Sequence, residues 1–413
     1  MSNFDHKLEK YAELAIKVGI NLKEKEGLLI GGNTETLPLA RLVMKKAYEA
    51  GAKHVEFQLS DDEMSLIRFK YGKDYVFDNF PQWKVDSLEA MYKDNYHHLF
   101  ISAPDPELLK DIDSDLVARS QKSASLAASP IMKYRMTGIT KWSIIAMPSA
   151  AWAKSVFPDL EEKAAMENLW KKIFEATRID QEDPIKAWQI HDSNLKKYRN
   201  FLNEKQFEKL VFQSPGTDLE VYLADDHFWM GGSKESENGD PFVANIPTEE
   251  VFTTPHYLKV NGTLKATKPL SLNGKLVDDF GFTFKDGKVV DFYAEKGYEV
   301  LAKLMENDEG AKYLGEVALV ENNSPISNTG ILFNNTLFDE NASVHFALGR
   351  AYPYTMKNGS EMTQEELTAK GANFSLIHVD FMVGGTELNI TAYEKNGNKV
   401  ELFRNGNWDL SLG

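Results

Sequence analysis

No cysteine occurs among the 413 residues, which removes disulfides, thiolate zinc sites, iron–sulfur clusters and cysteine nucleophiles together. Any metal must then be held by His, Asp, Glu or Tyr. Positive charge is scarce as well: 47 Lys and Arg face 62 Asp and Glu, a net charge of −15. Phosphate backbones are bound by clustered cations that displace counterions, so no nucleic-acid partner is expected. A small molecule, a peptide or a second copy of the chain suits this charge better. No stretch approaches about twenty unbroken apolar residues, so no membrane partner is expected either. The opening "MSNFDHKLEK" lacks the apolar segment of a signal peptide, and a cytoplasmic protein is the expectation. An HExxH helix is also missing, which excludes a zincin-type site.

What is present begins with size. A chain of 413 residues, 42% hydrophobic, exceeds what one core usually organises, so two domains are expected. Residues 1–205 alternate short apolar runs with 3.6-period segments, the rhythm of βα units. Strands are predicted at "GLLIGG" (27–32), "KHVEFQL" (53–59), "HHLFISA" (97–103) and "KWSIIAMP" (141–148). Helices are predicted over 4–18, 37–52, 159–178 and from the "DP" at 183–184 onward. This is an N-terminal α/β domain with a parallel-type sheet. Its glycine pair in "LLIGGNTETL" (28–37) lacks the three-glycine spacing of a dinucleotide loop and the Lys-Ser/Thr of a phosphate loop, so it reads as a βα turn.

Residues 206–413 change to short alternating strands, punctuated by "VNGT" (260–263), "LNGK" (272–275), "KDGK" (285–288) and "KNGN" (395–398), with one helix near 295–307. The whole is thus α/β plus α+β, the second domain being mainly antiparallel β.

Nine histidines are available for chemistry. His6 and His191 fall on helices with no acid at ligand spacing. His54, His97 and His98 open strands, and the last two point to opposite faces. His227 has acids next to it but falls in a predicted turn, and His256 follows a proline; both are weak candidates. His378 differs, because "NFSLIHVDFMVGG" (373–385) alternates strictly enough to assign faces. Ile377, Val379, Phe381 and Val383 point one way; Leu376, His378, Asp380 and Met382 point the other. His378 and Asp380 then form either a plain hydrogen-bonded pair or half of a metal site.

"NASVHFALG" (341–349) repeats the pattern, with Ser343, His345 and Ala347 on one face. Glu340 precedes it, and Arg350 and Tyr352 follow in "GRAY". Acids recur among apolar residues at Glu316 in "YLGEVALV" and at Glu249 and Glu250 in "NIPTEEVFTTP". A buried unpaired Glu is costly, so each needs a cation or a surface position. Four acidic stretches and two histidines in one domain favour a shared ion. The ligand count exceeds one tetrahedral zinc and suits two divalent ions bridged by a carboxylate, with Zn, Co or Mn matching the oxygen-rich set.

The segments "NIPTEEVFTTP", "LGEVALVENNSPIS", "LFDENASVHFALGRAYP" and "HVDFM" resemble motifs of the thermophilic-type two-metal aminopeptidases, the family of aminopeptidase T, aminopeptidase S and peptidase S. With "DPIKAWQIH" in the α/β half, the likeness spans nearly the whole chain. It implies a metallo-aminopeptidase that hydrolyses the N-terminal peptide bond of peptides through a metal-bridged hydroxide. Glu250, Glu316, His345, His378 and Asp380 are the implied ligands of two ions, with Glu316 as the bridge. Glu340 is implied as ligand or general base, and Tyr352 as a catalytic side chain. Members are homodimers with the metal site in the carboxyl-terminal domain. Two rivals stand beside this reading: a two-metal hydrolase of a non-peptide bond, and a non-catalytic ligand-binding protein.

Overall fold

The computed structural model describes residues 2–272 and 275–410. The chain divides into two compact units, Met1–Gln189 with Ser233–Pro247, and Ile190–Gly232 with Thr248–Gly413.

The first unit is α/β. Its parallel strands β1 (Gly27–Asn33), β2 (His54–Ser60), β3 (Tyr96–Ser102) and β4 (Trp142–Ala146) lie in the order β2-β1-β3-β4. β1, "GLLIGGN", is buried along its whole length, as a central parallel strand covered on both faces must be. Helices α1 (Asn3–Leu14), α2 (Leu37–Glu49), α3 (Asp62–Tyr71), α4 (Gln82–Lys93), α5 (Ser114–Met136), α6 (Ala150–Val156) and α7 (Glu162–Ala176) complete it. The glycine pair at 31–32 leads through a short turn into α2, as read from sequence. His97 and His98 do face opposite ways, His97 towards Glu26 and His98 towards Tyr92 and Arg135.

Helix α8 (Pro184–Lys205) ends where the strand-rich rhythm begins. The chain then runs through β5 (Lys209–Ser214), β6 (Thr217–Leu223) and β7 (Met230–Gly231). It adds the hairpin β8 (Lys234–Glu235) and β9 (Pro241–Phe242) to the first unit. The second unit continues as β10 (Val251–Thr253), β11 (Pro255–Lys265), β12 (Leu270–Leu272), β13 (Lys275–Lys285) and β14 (Lys288–Lys296). After helix α9 (Tyr298–Met305) come β15 (Leu314–Leu319), β16 (His345–Gly349), β17 (His378–Met382), β18 (Asn389–Tyr393), β19 (Lys399–Arg404) and β20 (Asn407–Trp408).

Apart from the β8–β9 hairpin, these strands form two sheets among the described residues. One has five strands in the order β17-β16-β15-β10-β7; the other has nine, built around β13-β11-β6-β5-β18. The pairs are antiparallel, as expected. Alternation explains how the sheets pack. Val317, Leu319, Phe346, Leu348, Phe381 and Val383 point from the five-stranded sheet into a core shared with Phe212, Leu219, Val221 and Phe282 of the other. The Phe212 and Phe346 rings lie 5.0 Å apart and those of Phe282 and Phe381 5.1 Å apart. The opposite face of the five-stranded sheet is therefore left for chemistry.

Three expectations change. "VNGT" is no turn: Asn261 and Gly262 sit inside β11, paired to Glu220 and Leu219. A Cβ at Gly262 would lie 2.0 Å from the Asp218 carbonyl oxygen, so here glycine serves close backbone approach. "KDGK" and "KNGN" are hairpin turns as read, whereas Asn273 and Gly274 of "LNGK" fall outside the described residues. The strand expected over 373–385 is shorter, because Asp308 accepts the Leu376 N–H (2.8 Å) and the Ser375 hydroxyl (2.9 Å) in place of a ladder partner. The strand expected over 341–349 begins only at His345. Helix α10 (Pro325–Asn328) and helix α11 (Thr336–Asp339) precede it, and residues Glu340–Ala342 form a 3-10 turn.

Candidate metal centre

The register of three strands assembles the site. Glu316 on β15 is paired with Ala347 on β16, and Ala347 with Asp380 on β17. One step along, Ala318, His345 and Met382 form the next row on the same face; His378 lies opposite Gly349 in the row on the other side. Side chains that alternate by two along each strand thus converge over the small Ala347. Glu250 enters from the segment immediately before β10.

The distances form a chain of contacts. Glu250 Oε2 lies 3.2 Å from His345 Nε2, and His345 Nε2 lies 3.7 Å from Glu316 Oε1. Glu316 Oε2 lies 3.7 Å from His378 Nε2, which is 3.3 Å from Asp380 Oδ1. Glu316 offers one oxygen to each histidine. Two ligand groups result, Glu250–Glu316–His345 and Glu316–His378–Asp380, each with its donor atoms within 4.8 Å of one another. Glu316 belongs to both.

Both imidazoles are fixed by their other nitrogen. His345 Nδ1 donates to the Ser343 carbonyl oxygen at 3.1 Å, and His378 Nδ1 donates to the Arg350 carbonyl oxygen at 2.7 Å. Gly349 makes the second contact possible: its φ is +105°, and a Cβ there would lie 2.3 Å from the Ile377 carbonyl oxygen. With Nδ1–H committed, each Nε2 faces carboxylates and needs a proton or a cation between.

The electrostatics are those of a buried anionic cluster. Burial opposes charging His345, but the Glu250 and Glu316 carboxylates outweigh it and hold the imidazole well above its ordinary pKa. Burial likewise opposes charge on His378, yet Asp380 and Glu316 push it up to about 9. Burial raises Asp380, but His378 beside it wins and holds it below the usual carboxylate range. Glu316 is raised by burial. Glu340 is raised well above its ordinary value by burial, then by the charges of Asp380 and Glu250. Four carboxylates crowd two imidazoles, and burial disfavours negative charge on Glu316 and Glu340 unless a further cation is present. A donor set of oxygen and imidazole nitrogen fits divalent cations such as zinc, cobalt or manganese.

Glu340 opens the 3-10 turn beside this cluster and, with Asp380, Met382, Asp339 and Ser271, lines a recess of about 60 Å³. The Tyr352 ring lies 4.6 Å from that of His378. Burial raises its hydroxyl pKa, and the acids Glu316 and Asp380 raise it further, so it stays a protonated donor. All seven side chains singled out in the sequence therefore meet in the second unit. Of the acid pair, Glu250 turns to His345, whereas Glu249 Oε2 lies 3.5 Å from His191 Nε2. His191 has an acid after all, supplied from a distant segment. Arg350 is exposed, its guanidinium 5.5 Å from the Phe374 ring centroid, and only its backbone serves the site.

Sequence reasoning missed three residues here. Ala347 was placed only on the same face as Ser343 and His345. Tyr354 stacks on Tyr352 at 5.2 Å and meets Phe252 edge-on at 6.3 Å; its i, i+2 spacing from Tyr352 was the available signal. Asn341 donates from Nδ2 to Glu340 Oε1 at 3.4 Å, and nothing in the alternation pointed to it.

The profile of the thermophilic metalloprotease (M29) family matches residues 4–408. Aminopeptidase 2 of Geobacillus stearothermophilus is 46% identical over 412 residues, covering 100% of both chains. Aminopeptidase AmpS of Bacillus subtilis is 41% identical over 408 residues, 99% of this chain and 100% of the relative. The solved structure of wild-type AmpT from Thermus thermophilus superposes with a TM-score of 0.92 at 38% identity, covering 98% of this chain and 100% of that one.

Proposed function

This chain belongs to the thermophilic metalloprotease (M29) family, and on that premise we propose that its reaction centre is the cluster of Glu250, Glu316, Glu340, His345, Tyr352, His378 and Asp380. It is a metal-dependent aminopeptidase, a hydrolase of peptide substrates. In the proposed arrangement Glu250, Glu316 and His345 would hold one divalent ion and Glu316, His378 and Asp380 a second, with Glu316 common to both groups. The metals are zinc, cobalt or manganese. All seven residues lie in the second unit; the reading takes 206–413 as the catalytic domain and 1–205 as an N-terminal α/β domain, with residues 190–205 clustering with the second unit and 233–247 with the first. The same reading takes the protein as a cytoplasmic homodimer. No described helix is long and apolar enough to cross a membrane.

The observation that carries the reading is the pair of histidines whose Nδ1–H groups are tied to backbone carbonyls while both Nε2 atoms face carboxylates. When bound, divalent ions supply a Lewis acid and a water activated at neutral pH. The chain's own residues do the rest. Glu340 takes the proton of the attacking water and returns it to the leaving amine, a role that contributes about 10²–10⁴-fold. Tyr352, kept protonated by burial and by the acids around it, donates to the developing oxyanion. The substrate's free α-amine must be bound by an acid or an ion of the site, which would restrict cleavage to the first peptide bond.

Release of free amino acids from short peptides, abolished by a chelator and restored by zinc, cobalt or manganese, tests the reaction. Anomalous scattering at a metal edge, with a count of two ions per chain, tests the site. Metal-loaded protein without peptidase activity, or ions bound elsewhere, would overturn it.

A further inference from the structure

Asn341 is completely buried in the turn that carries Glu340, and its amide is used at both ends. Oδ1 accepts the Glu249 backbone N–H at 2.8 Å. Nδ2 donates to the Leu337 carbonyl oxygen at 3.3 Å and to Glu340 Oε1 at 3.4 Å. The orientation of the amide follows from its partners. A backbone N–H can meet only the oxygen, so the NH₂ group faces the carbonyl and the carboxylate.

Glu249 and Glu250 precede the ladder of β10, which starts at Val251. Strand pairing therefore does not fix them. The segment is held from one side by Asn341 on the Glu249 N–H, and from the other by His191 Nε2 donating to the Thr248 carbonyl oxygen at 2.8 Å. One Asn341 side chain thus joins the backbone beside Glu250 to the carboxylate of Glu340, residues that sit 90 positions apart in sequence but on either side of one amide.

We infer that Asn341 is a positioning residue for the hydrolysis, setting Glu340 against the Glu250 segment and engaging Oε1 so that Oε2 is the oxygen that takes the water proton. The inference rests on the proposed role of Glu340. Neutral amides placed behind a reacting carboxylate restrict its rotamers, and such outer partners typically change activity about 10–100-fold when removed.

The test is a double-mutant cycle on the metal-loaded enzyme with Asn341→Ala, Glu340→Gln and the pair. Asn341→Ala is expected to lower kcat about 10–100-fold with KM within about twofold, and to cause no further loss in the Glu340→Gln background. Equal losses in both backgrounds would mean a merely structural role and would overturn the inference, as would an unchanged kcat. Should Asn341→Ala fail to fold, Asn341→Asp keeps an acceptor for the Glu249 N–H, removes the donor to Glu340 and is held to the same outcomes. Failure of the underlying reading shows separately, as wild-type kcat in Glu340→Gln alone.

Discussion

Glu316 and Ala347 face each other across β15 and β16, and Ala347 is the one residue between Glu316 and Asp380 in that row of the sheet. The site exists because the middle of three adjacent strands carries almost no side chain at that row. Ala347→Val would put two methyl groups where the donor atoms converge. Overpacking of this kind costs about 1–3 kcal/mol, so the fold should survive with a slightly lower melting temperature. Tight metal binding should be lost, and peptidase activity with it. Full metal content in Ala347→Val, measured by elemental analysis after gel filtration, would show that the row is not the site.

The two contacts of Glu316 give a sharper test. If it bridges, Glu316→Ala should leave no ion bound. Glu250→Ala should retain the ion at Glu316, His378 and Asp380, and His378→Ala should retain the one at Glu250, Glu316 and His345. All three should lose peptidase activity. Native mass spectrometry of each variant would give occupancies of zero, one and one; an ion retained in Glu316→Ala would rule out the bridge.

The faces of these strands were legible in sequence because a period of two cannot be mistaken once one face is buried. Phe346, Phe381 and Val383 pack inward as the alternation required, and His345, His378 and Asp380 point outward. Strand ends were not legible. Leu376 left the ladder for the Asp308 carboxylate, 68 residues away, and no local pattern reports such a partner. Asn261 and Gly262 carried a strong hairpin signal but sit mid-strand, where tertiary approach to Asp218 overrides turn propensity. The choice of Glu250 over Glu249 needed the family resemblance; the fold gives it a physical basis, since Glu250 lies 3.2 Å from His345 and Glu249 lies 3.5 Å from His191. Asn341 was invisible because its role joins two segments that only the fold brings together.

The Tyr352 ring lies 4.6 Å from that of His378, and its hydroxyl, held protonated by burial and by the acids around it, is assigned to the oxyanion and not to an ion. Tyr352→Phe should therefore keep both ions and the fold. Loss of one donor to a developing oxyanion typically lowers kcat about 10²–10³-fold. KM for short peptides should change little, because the hydroxyl acts on charge that appears only in the transition state. Loss of metal in Tyr352→Phe, or an unchanged kcat, would contradict the assignment.

The first unit offers a prediction independent of the chemistry. Glu26 is buried between Lys141 Nζ at 2.7 Å and His97 Nε2 at 3.1 Å, and Lys141 is itself almost wholly enclosed. Burial would raise the Glu26 pKa, but His97 and Lys141 overcome this and bring it down to about 2. A carboxyl that ionises more readily folded than unfolded stabilises the fold above its unfolded pKa of about 4.3, and that stability is lost as pH falls from there towards 2. The contribution is on the order of 3 kcal/mol at neutral pH. Lys141→Met leaves Glu26 with one partner fewer in a dry site, at a cost of about 3–5 kcal/mol. Its melting temperature should fall at pH 7, and the gap to wild type should narrow between pH 4 and pH 2. Comparing the two proteins at each pH removes the titration of the acids in the second unit, common to both. A variant as stable as wild type at pH 7, or a gap constant down to pH 2, would show that the buried pair does not set the acid limit of this unit.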